Sequence, residues 1–309
     1  MEDRTVKPAT AALLALLVWG SIAQAAENAG TVYERGLTVL SEATRDSHRA
    51  DGAALIARAA ESGHAPAQYH MGYLYAEGLG VPLNKARAVE WFRRAAENGH
   101  AAAQYSLGRS QMASGDRRGA VEWFRRAAEQ DQPDALFQLA LMYETGDGVP
   151  QDEPEARRLY ESAASQDDAA SMLNLALMLD QGRGGRIELN AAIGWYIRAA
   201  AAALPEAQHA LCELLLDGRG VDADPQKAAG WCHAAARQGH PPAQLLLATL
   251  YALGRGVAID EVQAAAWLIL AGNSGFPPAV KARDALLPDF SPDIRRKAKA
   301  LSKTLIAAP

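Results

Sequence analysis

Residues 65–100 read APAQYHMGYLYAEGLGVPLNKARAVEWFRRAAENGH. Two stretches with apolar residues at helical spacing flank a short glycine turn. Gly78 stands where a helix needs a residue of positive φ at its end, and Gly80 continues the turn. Asn84 then offers a side-chain oxygen to the free N–H groups at the start of the second stretch. The segment predicts a pair of antiparallel helices.

It is not alone. Trp91, Trp123, Trp195, Trp231 and Trp267 are separated by 32, 72, 36 and 36 residues, with Leu159 midway through the long gap. From this anchor six units follow: 65–100, 101–132, 133–168, 169–204, 205–240 and 241–276. Alanine recurs in all of them, as Ala88, Ala120, Ala156, Ala192, Ala228 and Ala264, and again as Ala95, Ala127, Ala163, Ala199, Ala235 and Ala271. Small side chains let helix axes approach closely, so hairpins can stack. One hairpin cannot bury its own apolar face, whereas a row of them can. The tryptophans are expected to fill the space between layers. The reading is all-α, a right-handed α/α superhelical solenoid of stacked helix hairpins. Scarce β-branched residues (12 Val, 9 Ile and 8 Thr) argue against sheet.

Two units depart from the pattern. Unit 101–132 has lost four residues from its turn, and unit 169–204 lacks the capping Asp. Upstream, 26–64 reads as a decayed repeat, with LIARAAESGH from Leu55 to His64 as its second helix. Downstream, 277–309 reads as C-terminal capping helices, the last from Ser291 to Ile306 with Pro292 at its first position. Residues 1–25 read as a signal peptide. An uncharged run, Ala9 to Ala26, ends in Ala23-Gln24-Ala25, and its apolar centre is too short for a confident span. The mature chain is therefore expected in the periplasm or secreted, without a membrane span. A net charge of −5 argues against a nucleic-acid partner.

These residues resemble the Sel-one-like repeat, a relative of the tetratricopeptide repeat, through the pattern AxAQYxxGxLYxxGxGVxxNxxKAxxWFxxAAxxGH. The resemblance covers 65–276. It implies an adaptor in protein complexes. For exported bacterial members it implies envelope signalling, exopolysaccharide control or host interaction. It also names a rival, since a cysteine-rich branch binds or hydrolyses β-lactams. That branch carries a Cys pair in nearly every repeat, whereas this chain has one pair. The serine-hydrolase and penicillin-recognising motifs G-x-S-x-G, S-x-x-K and K-T-G are absent, as are H-E-x-x-H and C-x-x-C. No catalytic residue, metal site or cofactor is assigned. His64, His100 and His240 recur at one position, as turn residues between hairpins.

Cys212 replaces a small residue at a tight helix contact, where other units have Gly72 and Gly108. Cys232 replaces a large core residue such as Phe92 or Phe124. Both fall in one unit and about level in its hairpin. A disulfide between them, two buried thiols, or a metal site with His209 and His233 are all open. The small-for-large exchange favours the disulfide. The divergence of adjacent Cys232 and His233, by about 100° on a helix, disfavours the metal.

The binding surface is expected on the first helices. Counting from each unit's start, positions 3, 7, 8 and 11 form the core face, and 2, 5, 6, 9, 12 and 13 lie opposite or flanking. Position 9 varies: Tyr73, Arg109, Leu141, Leu177, Glu213 and Thr249. Tyr69 and Tyr105 stand one turn before the first two. The candidate groove is therefore Tyr69, Tyr73, Tyr105, Arg109, Leu141, Leu177 and Glu213, expected to hold a protein partner, or a glycan, along the concave surface.

Overall fold

The computed structural model describes residues 29–43 and 45–306. The signal-peptide expectation for 1–25 lies outside them. Sixteen α-helices and one 3-10 turn, with no strand, make up the regular structure among the described residues. The first pair is α1 (29–41) and α2 (Asp46–Glu61). Six hairpins follow: α3 (Ala65–Glu77) with α4 (Lys85–Glu97), α5 (Ala101–Ser114) with α6 (Arg117–Ala128), and α7 (Pro133–Thr145) then α8 (Glu153–Ser165). The others are α9 (Ala169–Gln181) with α10 (Leu189–Ala201), α11 (Pro205–Asp217) with α12 (Pro225–Arg237), and α13 (Pro241–Leu253) with α14 (Glu261–Asn273). The chain closes with α15 (Pro277–Leu286), the 3-10 turn Leu287–Asp289 and α16 (Pro292–Leu301). The last helix is shorter than expected; residues 302–306 are turns and bends.

The structure divides into two compact units. One holds residues up to Met142 with Gly146–Pro150, the other Tyr143–Thr145 with Gln151 onward. Within each, a helix packs on its hairpin partner and on the next hairpin.

The repeated alanines do what their size suggests. The first set is no more than 3 % exposed and the second is 0 % exposed, so backbones meet there without intervening side chains. Gly72 and Gly108 serve the same end. A Cβ at Gly72 would stand 2.6 Å from the Phe92 ring, and one at Gly108 2.7 Å from the Phe124 ring. Position 8 of a unit therefore faces the large residue of its own second helix.

The turns are built on backbone as well as on glycine. Gly78, Gly146, Gly182, Gly218 and Gly254 all have φ between 66° and 75°, as a left-handed helix end requires. The second glycine has a different task. A Cβ at Gly256 would lie 1.9 Å from the Pro225 carbonyl oxygen, at the start of the preceding unit's second helix. Each full-length turn closes when the amide of the residue before the second helix donates to a position-11 carbonyl, as from Asn84 to Tyr75 at 2.8 Å and Asp224 to Leu215 at 2.9 Å. Side-chain caps follow from Asn84, Asp116, Asp152, Asp224 and Asp260. Glu188, in the unit without Asp, gives no cap and instead pairs with Arg157 at 2.5 Å.

Three expectations about packing need correction. Position 10 (Leu74, Met142, Met178, Leu214, Leu250) is buried, whereas most position-11 residues are half-buried. Position 4 is buried too. Its glutamines are polar staples: Gln68, Gln104, Gln208 and Gln244 each donate to a carbonyl of the preceding second helix, Ala60, Ala96, Ala200 and Ala236, at 3.0–3.1 Å. Gln68, Gln104 and Gln208 also accept from Asn98, Gln130 and Gln238 at the end of their own hairpin. Finally, only Trp267 of the repeat tryptophans is fully buried. Trp91, Trp123 and Trp195 are half-buried beneath Arg94, Arg126 and Arg198, at 4.9, 4.8 and 4.4 Å from the ring centres. An arginine three residues on lies one turn above its tryptophan, so its cation roofs the ring and keeps the exposed side solvated.

Candidate functional site: the first-helix faces

In the N-terminal unit, α3 presents Tyr73 with 49 % of its surface in solvent. The His70 ring meets it edge-on at 6.2 Å and lies 3.4 Å (Nδ1 to Oη) from Tyr33 of α1. Tyr33 also lies against His64, with ring centres 5.1 Å apart. On α5, Arg109 is exposed and sits over the Tyr105 ring at 5.8 Å. Leu141 on α7 is 36 % exposed.

Tyr69 and Tyr105 are less available. Tyr69 stacks on His100 at 4.4 Å and tilts against Phe92, and Tyr105 packs on Phe124. Both are half-buried, so they fasten layers together while showing an edge. In the C-terminal unit, Leu177 is half-buried and Glu213 exposed. Glu213 lies 3.8 Å from His209, whose ring meets His240 at 5.2 Å. Burial, and then the charge of Asp217, raises the Glu213 pKa above the ordinary carboxylate value.

The histidines have a structural role that the sequence reading placed only as turns. His64 and His100 cap α3 and α5, each accepting from the backbone N–H three residues on, at 3.3 Å, through Nδ1. Gln132 and Asp168 take that place in the next two units. An imidazole accepts only when neutral. Burial lowers the pKa of His70, His100, His209, His233 and His240. A base whose pKa falls on folding leaves the unfolded chain binding more protons, so stability declines as pH drops below the unfolded value near 6.5. Glu213 opposes this, because an acid with a raised pKa stabilises as it protonates. Five histidines outweigh one carboxylate, and the melting temperature should fall between pH 7.5 and 5.5. A thermal scan showing a flat or rising profile over that interval would contradict the assignment.

Cys212 and Cys232 are both 0 % exposed and are free thiols in this structure. They face each other as Gly72 faces Phe92. Their mutual hydrogen bond, then burial, pushes the Cys232 thiol pKa up. Cys232 Sγ also lies 3.6 Å from the Ala243 carbonyl oxygen.

A second polar device lies along the turns of the C-terminal unit. Arg183 reaches back to Glu144 at 2.5 Å, and Arg219 grips Asp180 at 2.8 and 2.9 Å. Arg255 takes the Leu216 carbonyl. Each arginine stands between the two turn glycines, 39 residues from its acceptor. Glu144 also accepts from the buried Tyr160 hydroxyl at 2.7 Å. The recurrent Gly-Arg-Gly and the Gln at position 4 were visible in the sequence as signals of these links.

The Sel1 repeat model matches 65–100, 101–132, 133–168, 169–204, 205–240 and 241–276. The chain belongs to the Sel1 repeat family. Its architecture, an all-α repeat solenoid, is that of solved Sel1 structures. A protective antigen present in uropathogenic Escherichia coli strains, displaying an SLR fold, is 30 % identical with a TM-score of 0.76 over 90 % of this chain. The Sel1 chain described here spans 61 % of that antigen's length. A Sel1 repeat protein from Oxalobacter formigenes is 28 % identical, with a TM-score of 0.59 over 87 % of this chain and 90 % of its own. Among curated proteins none matches. Within the described residues no helix is long and apolar enough to cross a membrane, and no three His, Cys, Asp or Glu side chains group as metal ligands.

Proposed function

We propose that this Sel1 chain is a non-enzymatic scaffold of the bacterial envelope that holds a protein partner on its first-helix faces. The observation that carries this reading is the contrast at position 9. Core positions repeat alanine after alanine, while position 9 takes five residue types in six units (Tyr73, Arg109, Leu141, Leu177, Glu213 and Thr249) and is mostly exposed. Tyr73 and Arg109 supply large contact area with directed hydrogen bonds, the combination that anchors interfaces. In the C-terminal unit Leu177 and Glu213 stand at the same position of their own first helices.

The partner is to be captured from an envelope fraction with the mature chain, and its affinity then measured by calorimetry. Tyr73→Ala and Arg109→Ala should each weaken binding by about 1 kcal/mol or more, with helix content unchanged. If both leave affinity intact while changes on the second helices abolish it, the binding face is misassigned. Export is tested separately: N-terminal sequencing of the envelope protein should begin at or near Ala26, and an intact Met1 in a cytosolic pool would reject it.

A further inference from the structure

The unit that lost four turn residues has an unusual edge. Between α3 and α4 the chain runs through residues 78–84; between α5 and α6 it has only Gly115 and Asp116. The first residue of α6, Arg117, is thereby brought against the last turn of α5, where it donates to the Met112 carbonyl. Its Nε lies 3.0 Å from Asp147. The result is an open cleft of about 440 Å³ lined by Arg109, Met112, Ala113, Arg117 and Gln138. Two guanidinium groups and an amide stand over a small apolar floor.

We propose that this cleft receives an acidic side chain, Asp or Glu, from an extended segment of the protein partner. The inference rests on the first-helix face being the partner surface and names the chemistry that this face selects. Charge counting decides the ligand. Arg117 is already paired with Asp147, whereas Arg109 forms no ion pair with any carboxylate among the described residues. Asp134, whose charge also reaches Tyr105, is held by Gln132 at 2.9 Å and does not pair with Arg109. The cleft lining itself holds two guanidinium groups and no carboxylate, and with Arg117 already paired to Asp147, a single carboxylate from outside suits Arg109. A guanidinium already oriented over the Tyr105 ring offers a planar fork of donors to such a carboxylate. Met112 and Ala113 suit an apolar residue beside the acid.

The test uses the full chain and a fluorescein-labelled twelve-residue Gly/Ser peptide with a central Leu-Glu-Leu, followed by anisotropy at low salt. The Glu peptide should saturate below millimolar concentration and its Gln counterpart should bind about fivefold more weakly, the scale of an exposed charge pair. Arg109→Gln should abolish that difference; Arg93→Gln, on the exposed face of α4, should preserve it. Should Arg109→Gln lose helix content, Arg109→Lys serves instead, keeping the charge but losing the fork, and should reduce the discrimination. Equal binding of the Glu and Gln peptides overturns the proposal. So does tighter binding of a phosphoserine version, failure to saturate by millimolar concentration, or discrimination that survives in the Arg109 variant. If Tyr73→Ala weakens the captured partner while the acidic peptide is ignored, the partner surface stands and the carboxylate site falls.

Discussion

Trp267→Ala should cost about 3–5 kcal/mol of stability in the C-terminal unit, the range for deleting a large aromatic from a core. Its ring is 0 % exposed and belongs to a cluster with Leu247, Leu250, Leu268 and Cys232. His233 closes one side edge-on at 5.8 Å. Because α14 is covered by α13, α15 and α16, the site has little room to collapse. Trp195→Ala should cost clearly less, about 1–3 kcal/mol. That ring is half-buried, and part of what it loses is the exposed contact with Arg198, worth about 0.5–1 kcal/mol. The Trp267 Nε1 group is buried without a hydrogen-bond partner. Trp267→Phe should therefore be milder than Trp267→Ala by more than the retained area alone implies, since it removes an unpaired donor. Repeat stacks need not unfold in one step, so the measurement is hydrogen exchange of the α13 and α14 amides alongside denaturant titration. Equal losses at the two tryptophans would mean that burial does not rank them.

The hairpins were legible because they rest on short-range rules. A glycine that must have positive φ, an Asp or Asn that caps, and an alanine that cannot be larger all announce themselves within one unit. The six-fold recurrence then converts each weak signal into a strong one. What the period could not supply was orientation. A 3.6-residue wheel treats a helix as packed from one side and so places position 10 off the core face. Here a first helix meets both its partner and the neighbouring hairpin, which widens the buried arc to include the position-4 glutamines. The tryptophans misled for a related reason. They share a register, but burial depends on what covers them, and only Trp267 has two further helices on the adjoining side. The candidate groove was legible as a list of positions. The placement of Tyr69 and Tyr105 was not, since both spend much of their surface on His100, Phe92 and Phe124. The environment of Arg117 comes from a deletion, and a missing turn says nothing about which side chain moves into its place.

Oxidation of Cys212 and Cys232 to a disulfide should stabilise the chain by about 3 kcal/mol, less any strain, because it closes a loop of about 20 residues. The packing invites it: the two fully buried thiols occupy a contact filled elsewhere by a glycine and an aromatic ring. The bond ties the two helices of one hairpin where they already touch, so little backbone movement is needed. Its formation should depend strongly on when the oxidant arrives. Exchange proceeds through a thiolate, and both burial and the mutual hydrogen bond hold Cys232 in the neutral form. Folded, reduced protein should therefore react slowly with oxidised glutathione, whereas refolding in a glutathione buffer should close the pair while the sulfurs are still accessible. Non-reducing peptide mapping should then show a fragment linking Cys212 to Cys232, and denaturant titration of the C-terminal unit should shift to higher midpoint relative to Cys212→Ala/Cys232→Ala. Two thiols that still alkylate after oxidative refolding would reject the bond. Rapid closure in the folded protein would instead reject the account of why Cys232 is quiet, since a buried thiol held in its neutral form is a poor nucleophile.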